Sequence, residues 1–128
     1  MKLTEQQWQE RLTDEEYRVT RQSGTERPFT GDLLHNKESG NYTCTCCGEI
    51  LFTAQDKFDS GCGWPSFSAQ SENNNVEYHR DNSLGMERVE IVCKHCDAHL
   101  GHVFNDGPAP SGQRYCVNSV SIKFDKKP

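Results

Sequence analysis

Two short cysteine turns constrain this chain more than any other feature. Cys44-Thr45-Cys46-Cys47-Gly48 and Cys93-Lys94-His95-Cys96 each carry a two-residue gap between thiols, which lets one tight turn aim both sulfurs at a single tetrahedral ion. One such pair can be a redox motif. A matched pair in one small domain reads as a four-thiolate metal shell of Cys44, Cys47, Cys93 and Cys96, with zinc the first choice on softness and geometry and iron the alternative. Everything from Gly48 to Val92 lies between the turns, more than a compact zinc ribbon holds, so the site is expected to be a structural clip joining distant parts of one domain. Cys46 breaks the pattern. It can replace a neighbour as ligand, but the gap and the following Gly48 favour Cys44 and Cys47, leaving Cys46 a spare thiol, exposed or packed.

Composition agrees with a clip. The 128 residues support one domain, yet only 33% are hydrophobic and the mean hydropathy is -0.87, so the core is modest. Structural zinc contributes on the order of 10 kcal/mol of apparent binding free energy coupled to folding, enough to supply the deficit. Fourteen Lys and Arg against 19 Asp and Glu leave a formal charge of -5, which disfavours a nucleic-acid-binding module through net repulsion. No stretch approaches a membrane span, and the opening Met1-Lys2-Leu3-Thr4-Glu5 lacks the apolar core of a signal peptide. Seven cysteines, an odd number at metal-type spacing, suit the reducing cytoplasm better than a disulfide scaffold. A monomer is the default expectation.

Along the chain, Leu3, Trp8 and Leu12 fall at helical spacing, and Thr13 is placed to cap a second short helix running through Asp14, Glu15, Glu16 and Tyr17. Trp8 is expected to pack on the protein's own sheet, ahead of serving as a partner anchor. Gly24 to Gly31 is a loop. Extended runs follow at Tyr42–Thr43, Ile50–Phe52, Val76–His79 and Met86–Val92, with a turn at Asn73-Asn74-Asn75. The expected architecture is mainly antiparallel β with short helices at the start.

From Arg114 to Phe124 the residues alternate, predicting one strand with Cys116, Asn118, Val120, Ile122 and Phe124 on one face. Its apolar end would face the core and its polar head, Arg114, Cys116 and Asn118, would emerge at the rim. A guanidinium two residues from Cys116 projects to the same face and favours the thiolate, the form in which a thiol is nucleophilic. The alternative is a small core cysteine continuing the apolar face.

Three blocks resemble the methionine sulfoxide reductase B family: Lys57-Phe58-Asp59-Ser60-Gly61-Cys62-Gly63-Trp64-Pro65-Ser66-Phe67, then His99-Leu100-Gly101-His102-Val103-Phe104 with Asp106-Gly107-Pro108, then Arg114-Tyr115-Cys116-Val117-Asn118-Ser119. The likeness runs from about Gly24 to Phe124. It implies one domain over 1–128, with a helical extension over 1–23 and a catalytic core over 24–124. Two antiparallel sheets, a structural zinc clip and reduction of methionine R-sulfoxide come with it.

A sulfoxide has an electrophilic sulfur and a basic oxygen, so its reductase needs a thiolate, donors for the oxygen and a pocket for the methyl group. Cys116 is the expected attacker. His99 and His102, three apart around a glycine-containing turn, can converge as proton donors, and two complete cysteine pairs leave the metal no need of them. Asp106 can orient a histidine or join the proton network, although Asp106-Gly107-Pro108 is equally a simple turn. Arg114 and Asn118 can stabilise charge around Cys116. Trp64 either walls the methyl pocket or fills a core corner beside Pro65 and Phe67, and the resemblance favours the pocket. The resemblance also makes Cys62 the resolving thiol. It would condense with a Cys116 sulfenic acid, and thioredoxin would reduce the resulting disulfide. Cys46 is the rival resolver. Competing classes are a non-catalytic zinc-containing binding module, which assigns no purpose to Cys62 and Cys116, and a thiol-disulfide oxidoreductase, which would need its reactive pair as C-x-x-C.

Overall fold

The computed structural model describes residues 3–81 and 88–126. Two helices open it, α1 (Glu5–Arg11) and α2 (Asp14–Arg21), and each begins with the same device. Thr4 Oγ1 accepts from the Gln7 amide and the Gln7 side chain accepts from the Thr4 amide. Thr13 and Glu16 repeat the exchange. Two otherwise orphaned amides are thus satisfied at each start. Trp8 is buried, as expected, and the Arg21 guanidinium lies 4.5 Å from its ring centroid. Tyr17 and Val19 of α2 are buried too, so the second helix packs on the sheets.

Among the described residues, nine strands form two antiparallel sheets. β1 (Gly40–Cys44), β2 (Ile50–Thr53) and β9 (Ile122–Lys126) make a three-stranded sheet in the order β2-β1-β9. The six-stranded sheet runs β3-β4-β8-β7-β6-β5. Its strands are β3 (Lys57–Phe58), β4 (Ser66–Phe67), β5 (Val76–Asp81), β6 (Arg88–Cys93), β7 (His99–Phe104) and β8 (Arg114–Val117). Met86, where a strand start was expected, lies outside the described residues. Aromatic rings join the sheets: Phe52 of β2 stacks on Phe67 of β4 at 4.4 Å, Tyr42 of β1 meets Phe67 edge-on at 5.1 Å, and Tyr115 of β8 meets Phe52 at 5.7 Å. Such pairs add about 0.5–1.5 kcal/mol each beyond the area they bury.

The strand expected from Arg114 to Phe124 is two strands in two sheets. β8 ends at Val117, a 3-10 turn spans Ser119–Ser121, and β9 resumes at Ile122. The break has a visible cause. The buried Glu26 carboxylate accepts the Val120 amide at 3.1 Å and the Ser121 amide folds back to the Asn118 carbonyl at 3.0 Å, so neither amide is available to a ladder. Val120 is accordingly half-buried instead of sitting in the core.

Candidate active site and cysteine cluster

Each cysteine turn closes one hairpin, β1–β2 in the small sheet and β6–β7 in the large one, and the two turns are built alike. The Cys44 amide donates to Glu49 O and the Gly48 amide to Cys44 O. The Cys93 amide donates to Ala98 O and the Asp97 amide to Cys93 O, all at 2.8–2.9 Å. Gly48 and Asp97, at equivalent positions, both take left-handed backbone, with φ of 83° and 64°. The turns face each other: Cys44 Sγ lies 3.6 Å from Cys96 Sγ, Cys47 Sγ lies 3.5 Å from Cys93 Sγ, and all four sulfurs are within 4.8 Å of one another. A tetrahedral shell with metal–sulfur bonds of about 2.3 Å separates its sulfurs by about 3.8 Å, so four thiolates here fit a soft metal ion. Cys46 is not one of the four clustered ligands, but it is buried beside them, its thiol in contact with those of Cys44 and Cys96. Arg21 ties α2 to this region through a 2.8 Å hydrogen bond to Cys96 O.

The second constellation lies on the large sheet. Ladder register sets Ser66, Cys116, His102, Glu90 and His79 in one row across β4, β8, β7, β6 and β5, and residues directly opposite share a face. His99 joins that face by an irregularity. Three residues from His102 in a regular strand, it would point the other way. Ile91 opposes Gly101 and Val92 opposes His99, however, which leaves Leu100 as an extra residue. This is a β-bulge in a strand, where the sequence suggested a turn. Asn118 clasps the bulge, its amide and its Nδ2 both donating to Leu100 O at 2.9 and 3.1 Å, and Ser121 Oγ donates to His99 O at 2.9 Å. At Gly101 only glycine fits, since a Cβ there would come within 1.9 Å of Cys116 O.

The histidines have carboxylate partners that sequence patterning does not single out. His99 Nδ1 lies 2.6 Å from Glu90 Oε2 and His102 Nε2 lies 2.8 Å from Asp81 Oδ2, which also receives Arg88 at 3.1 Å. The hydrogen bond from His99 holds Glu90 below the usual carboxylate range, while burial pushes His102 down against the opposing pull of Asp81. Asp106 does not orient a histidine. Its exposed carboxylate takes both ends of the Arg114 guanidinium at 2.9 and 3.2 Å, and Arg114 also covers the Phe104 ring at 4.5 Å.

Cys62 and Cys116 meet with their sulfurs 2.9 Å apart. The Cys62 loop is shaped by Gly61 and Gly63, with φ of 74° and 98°. Ser66 Oγ stands 3.4 Å from the Cys62 sulfur. Cys116, only 9% exposed, is not the solvent-reachable anion expected from sequence. Burial pushes its thiol up, and the neighbouring Cys62 sulfur adds to this against the opposing charge of Arg114. Burial also opposes ionisation of Cys62, yet hydrogen bonds from Cys116, Ser60 and Ser66 bring it down to about 7. The pair therefore ionises once near neutral pH, and its surroundings favour the charge on Cys62 over Cys116. Alkylation of Cys62 by iodoacetamide should accelerate through about pH 7. In Cys116→Ser, which replaces the thiol donor by a shorter hydroxyl, the inflection should move toward ordinary thiol values. An unchanged profile would remove Cys116 as the cause.

Cys116, His99, His102, Trp64, Phe104 and Asn118 all line one cavity of about 110 Å³, room for three or four groups the size of water at about 30 Å³ each. The Trp64 indole is fixed by a 3.0 Å hydrogen bond to Glu26 O. Asn118 is spent on backbone, its Oδ1 accepting the Glu26 amide at 3.0 Å, so it positions the site. Arg114 lies over Phe104 and is not among the residues that line the cavity.

Fold and site together define a two-sheet protein with a cysteine pair facing two histidines, stitched by a four-cysteine cluster. The SelR domain family matches residues 12–126. Relatives described as peptide methionine sulfoxide reductase MsrB are 59% identical in Hahella chejuensis, over 97% of this chain and 89% of that protein, and 59% identical in Acinetobacter baylyi, over 97% and 91%. A third, from Methanosarcina mazei, is 56% identical over 97% of this chain and 89% of its own length. The chain belongs to the SelR-domain family of MsrB peptide methionine sulfoxide reductases. A solved Mis18 Yippee-like domain shares the fold alone, with a TM-score of 0.56 at 16% identity over 71% of this chain and 99% of that one. Among the described residues no helix is long and apolar enough to cross a membrane.

Proposed function

We propose that this enzyme reduces methionine R-sulfoxide by attack of Cys116 on the sulfoxide sulfur, and that Cys62 resolves the product as a disulfide. The observation that carries the reading is the cavity shared by Cys116, both histidines and Trp64, with Cys62 in sulfur contact behind. The ε-methyl group packs against the fixed Trp64 indole, and the sulfoxide oxygen points at the imidazoles. With Nδ1 engaged by Glu90, His99 has Nε2 left for the pocket. With Nε2 engaged by Asp81, His102 has Nδ1. As substrate arrives, the Cys116 proton crosses the short contact to Cys62, and the Arg114 charge favours the new Cys116 thiolate.

The steps balance. Cys116 bonds to the sulfoxide sulfur as a histidine protonates the oxygen, and as the hydroxyl passes to the Cys116 sulfur that transient sulfur–sulfur bond breaks, releasing the methionine thioether and leaving the sulfenic acid. Cys62, now a thiol, loses its proton as it attacks the Cys116 sulfur, and the oxygen departs as water. One substrate and two thiols thus yield methionine, one disulfide and water, and a protein dithiol of the thioredoxin kind then reduces the disulfide. Cys46, buried in the core, takes no part. We place zinc in the four-cysteine cluster, where it would cross-link the two sheets and do no redox work. Such a thiolate shell needs a reducing compartment, the cytoplasm, and the enzyme works there as a monomer on free or protein-bound methionine sulfoxide. The domain spans the whole chain, with 24–124 carrying the catalysis.

Separate R and S sulfoxides, free and in a peptide, test this directly. We expect turnover of the R epimer alone. One methyl in an apolar pocket discriminates by only about 1–3 kcal/mol, so hydrogen bonding to the oxygen must supply the remainder. Equal rates for both epimers would refute an oxygen aimed at the imidazoles with the methyl group on Trp64, and no turnover of either would leave a metal-clipped binding module.

A further inference from the structure

We propose that the exposed ring of Phe29 is the docking point for the protein dithiol that reduces the Cys62–Cys116 disulfide. The segment Glu26–Thr30 is tied down almost everywhere else. The Glu26 amide, carbonyl and carboxylate are bonded to Asn118, Trp64 and Val120 in turn, and Thr30 Oγ1 closes the turn on Arg27 O at 2.6 Å. The Phe29 amide donates to Gly63 O at 2.7 Å, fastening it to the residue that follows Cys62. Phe29 itself has φ of 66°, a left-handed conformation that is unfavourable for a bulky side-chain-bearing residue. The residue is 65% exposed, so burial in the core does not offset that cost. Strain held in place by its surroundings, beside a reacting group, is the pattern of a functional position.

The location selects the occupant. Phe29 is not among the residues lining the substrate cavity. Its ring instead flanks the Cys62 loop, closely enough that a Cβ on Gly63 would sit 3.2 Å from ring carbons. Of the two sulfurs, Cys62 is half-buried and Cys116 buried, so an incoming protein thiolate reaches Cys62 more readily. The reading rests on the disulfide cycle proposed above. In it, the partner's thiolate attacks Cys62 Sγ, the bond to Cys116 breaks and Cys116 leaves as thiolate to be protonated. The partner's second thiolate then attacks its own first sulfur, Cys62 is released, and the partner departs as a disulfide carrying the two-electron oxidation. A protein that offers a reactive thiol to a recessed sulfur needs apolar contact around it, and one aromatic side chain at the centre of a contact carries much of its energy.

The test compares reductants in Phe29→Asn, which removes the ring while tolerating left-handed backbone, and in Phe29→Tyr, which keeps the ring. With thioredoxin, Phe29→Asn should raise the reductant KM by about tenfold or more, and Phe29→Tyr should stay within about twofold. With dithiothreitol, and in the single-turnover yield of methionine, both should match the parent. Phe29→Gly replaces Phe29→Asn if the latter melts early. An unchanged thioredoxin KM overturns the proposal. So does a raised KM for a sulfoxide peptide with thioredoxin unaffected, which would give the ring to substrate, or an equal loss with both reductants, which would make it a support of the loop. If the parent protein shows no dithiol-driven turnover at all, the disulfide cycle itself fails first.

Discussion

Replacing Cys116 by serine should abolish methionine formation in a single turnover, a loss of about 10³-fold or more on the scale seen when a positioned nucleophile is removed. An alcohol in the same place is un-ionised at neutral pH and is a poor nucleophile toward sulfoxide sulfur. Cys62→Ser behaves differently. It should still form one equivalent of methionine and stop with Cys116 as the sulfenic acid, visible by mass spectrometry as one added oxygen. A normal single-turnover yield from Cys116→Ser would refute attack there. Sustained thioredoxin-driven cycling of Cys62→Ser would show that the sulfenic acid is reduced without Cys62, because the other non-cluster thiol, Cys46, is buried in the core.

Removing metal should have the largest effect on stability. The cluster joins the hairpin of one sheet to the hairpin of the other, and a structural zinc contributes about 10 kcal/mol to folding. If chelation removes even about 5 kcal/mol of that, a domain of this size should lose about 15–25 °C in Tm. Scanning calorimetry with and without a strong chelator checks this, and Cys93→Ser should reproduce the shift. A Tm insensitive to both would mean that the aromatic contacts between the sheets hold the fold unaided.

Much of this was legible in the residues. The cysteine turns announced their cluster through spacing alone, and Thr13 announced the second helix because an N-cap is written locally. What escaped was set by distant partners. The alternation from Arg114 to Phe124 continues through a 3-10 turn because the cause, Glu26, lies in a loop far upstream. Glu90 and Asp81 look like ordinary polar positions of alternating strands, and only register carries them to the imidazoles. The bulge at Leu100 leaves only a faint local signature in the glycine that follows it, since an isolated glycine in a strand marks either a bulge or a close backbone approach. Asp106, placed beside two histidines in sequence, was drawn off by Arg114, which the β7–β8 pairing sets opposite Phe104.

Just Asp97 and Ala98 stand between Cys96 and His99, and Ala98 is wholly enclosed. A tether that short has no slack. A loosening of the four sulfurs reaches the His99 imidazole as directly as it reaches α2, which Arg21 fastens to Cys96 O, so if His99 serves the sulfoxide oxygen as proposed, catalytic competence should fall together with metal content.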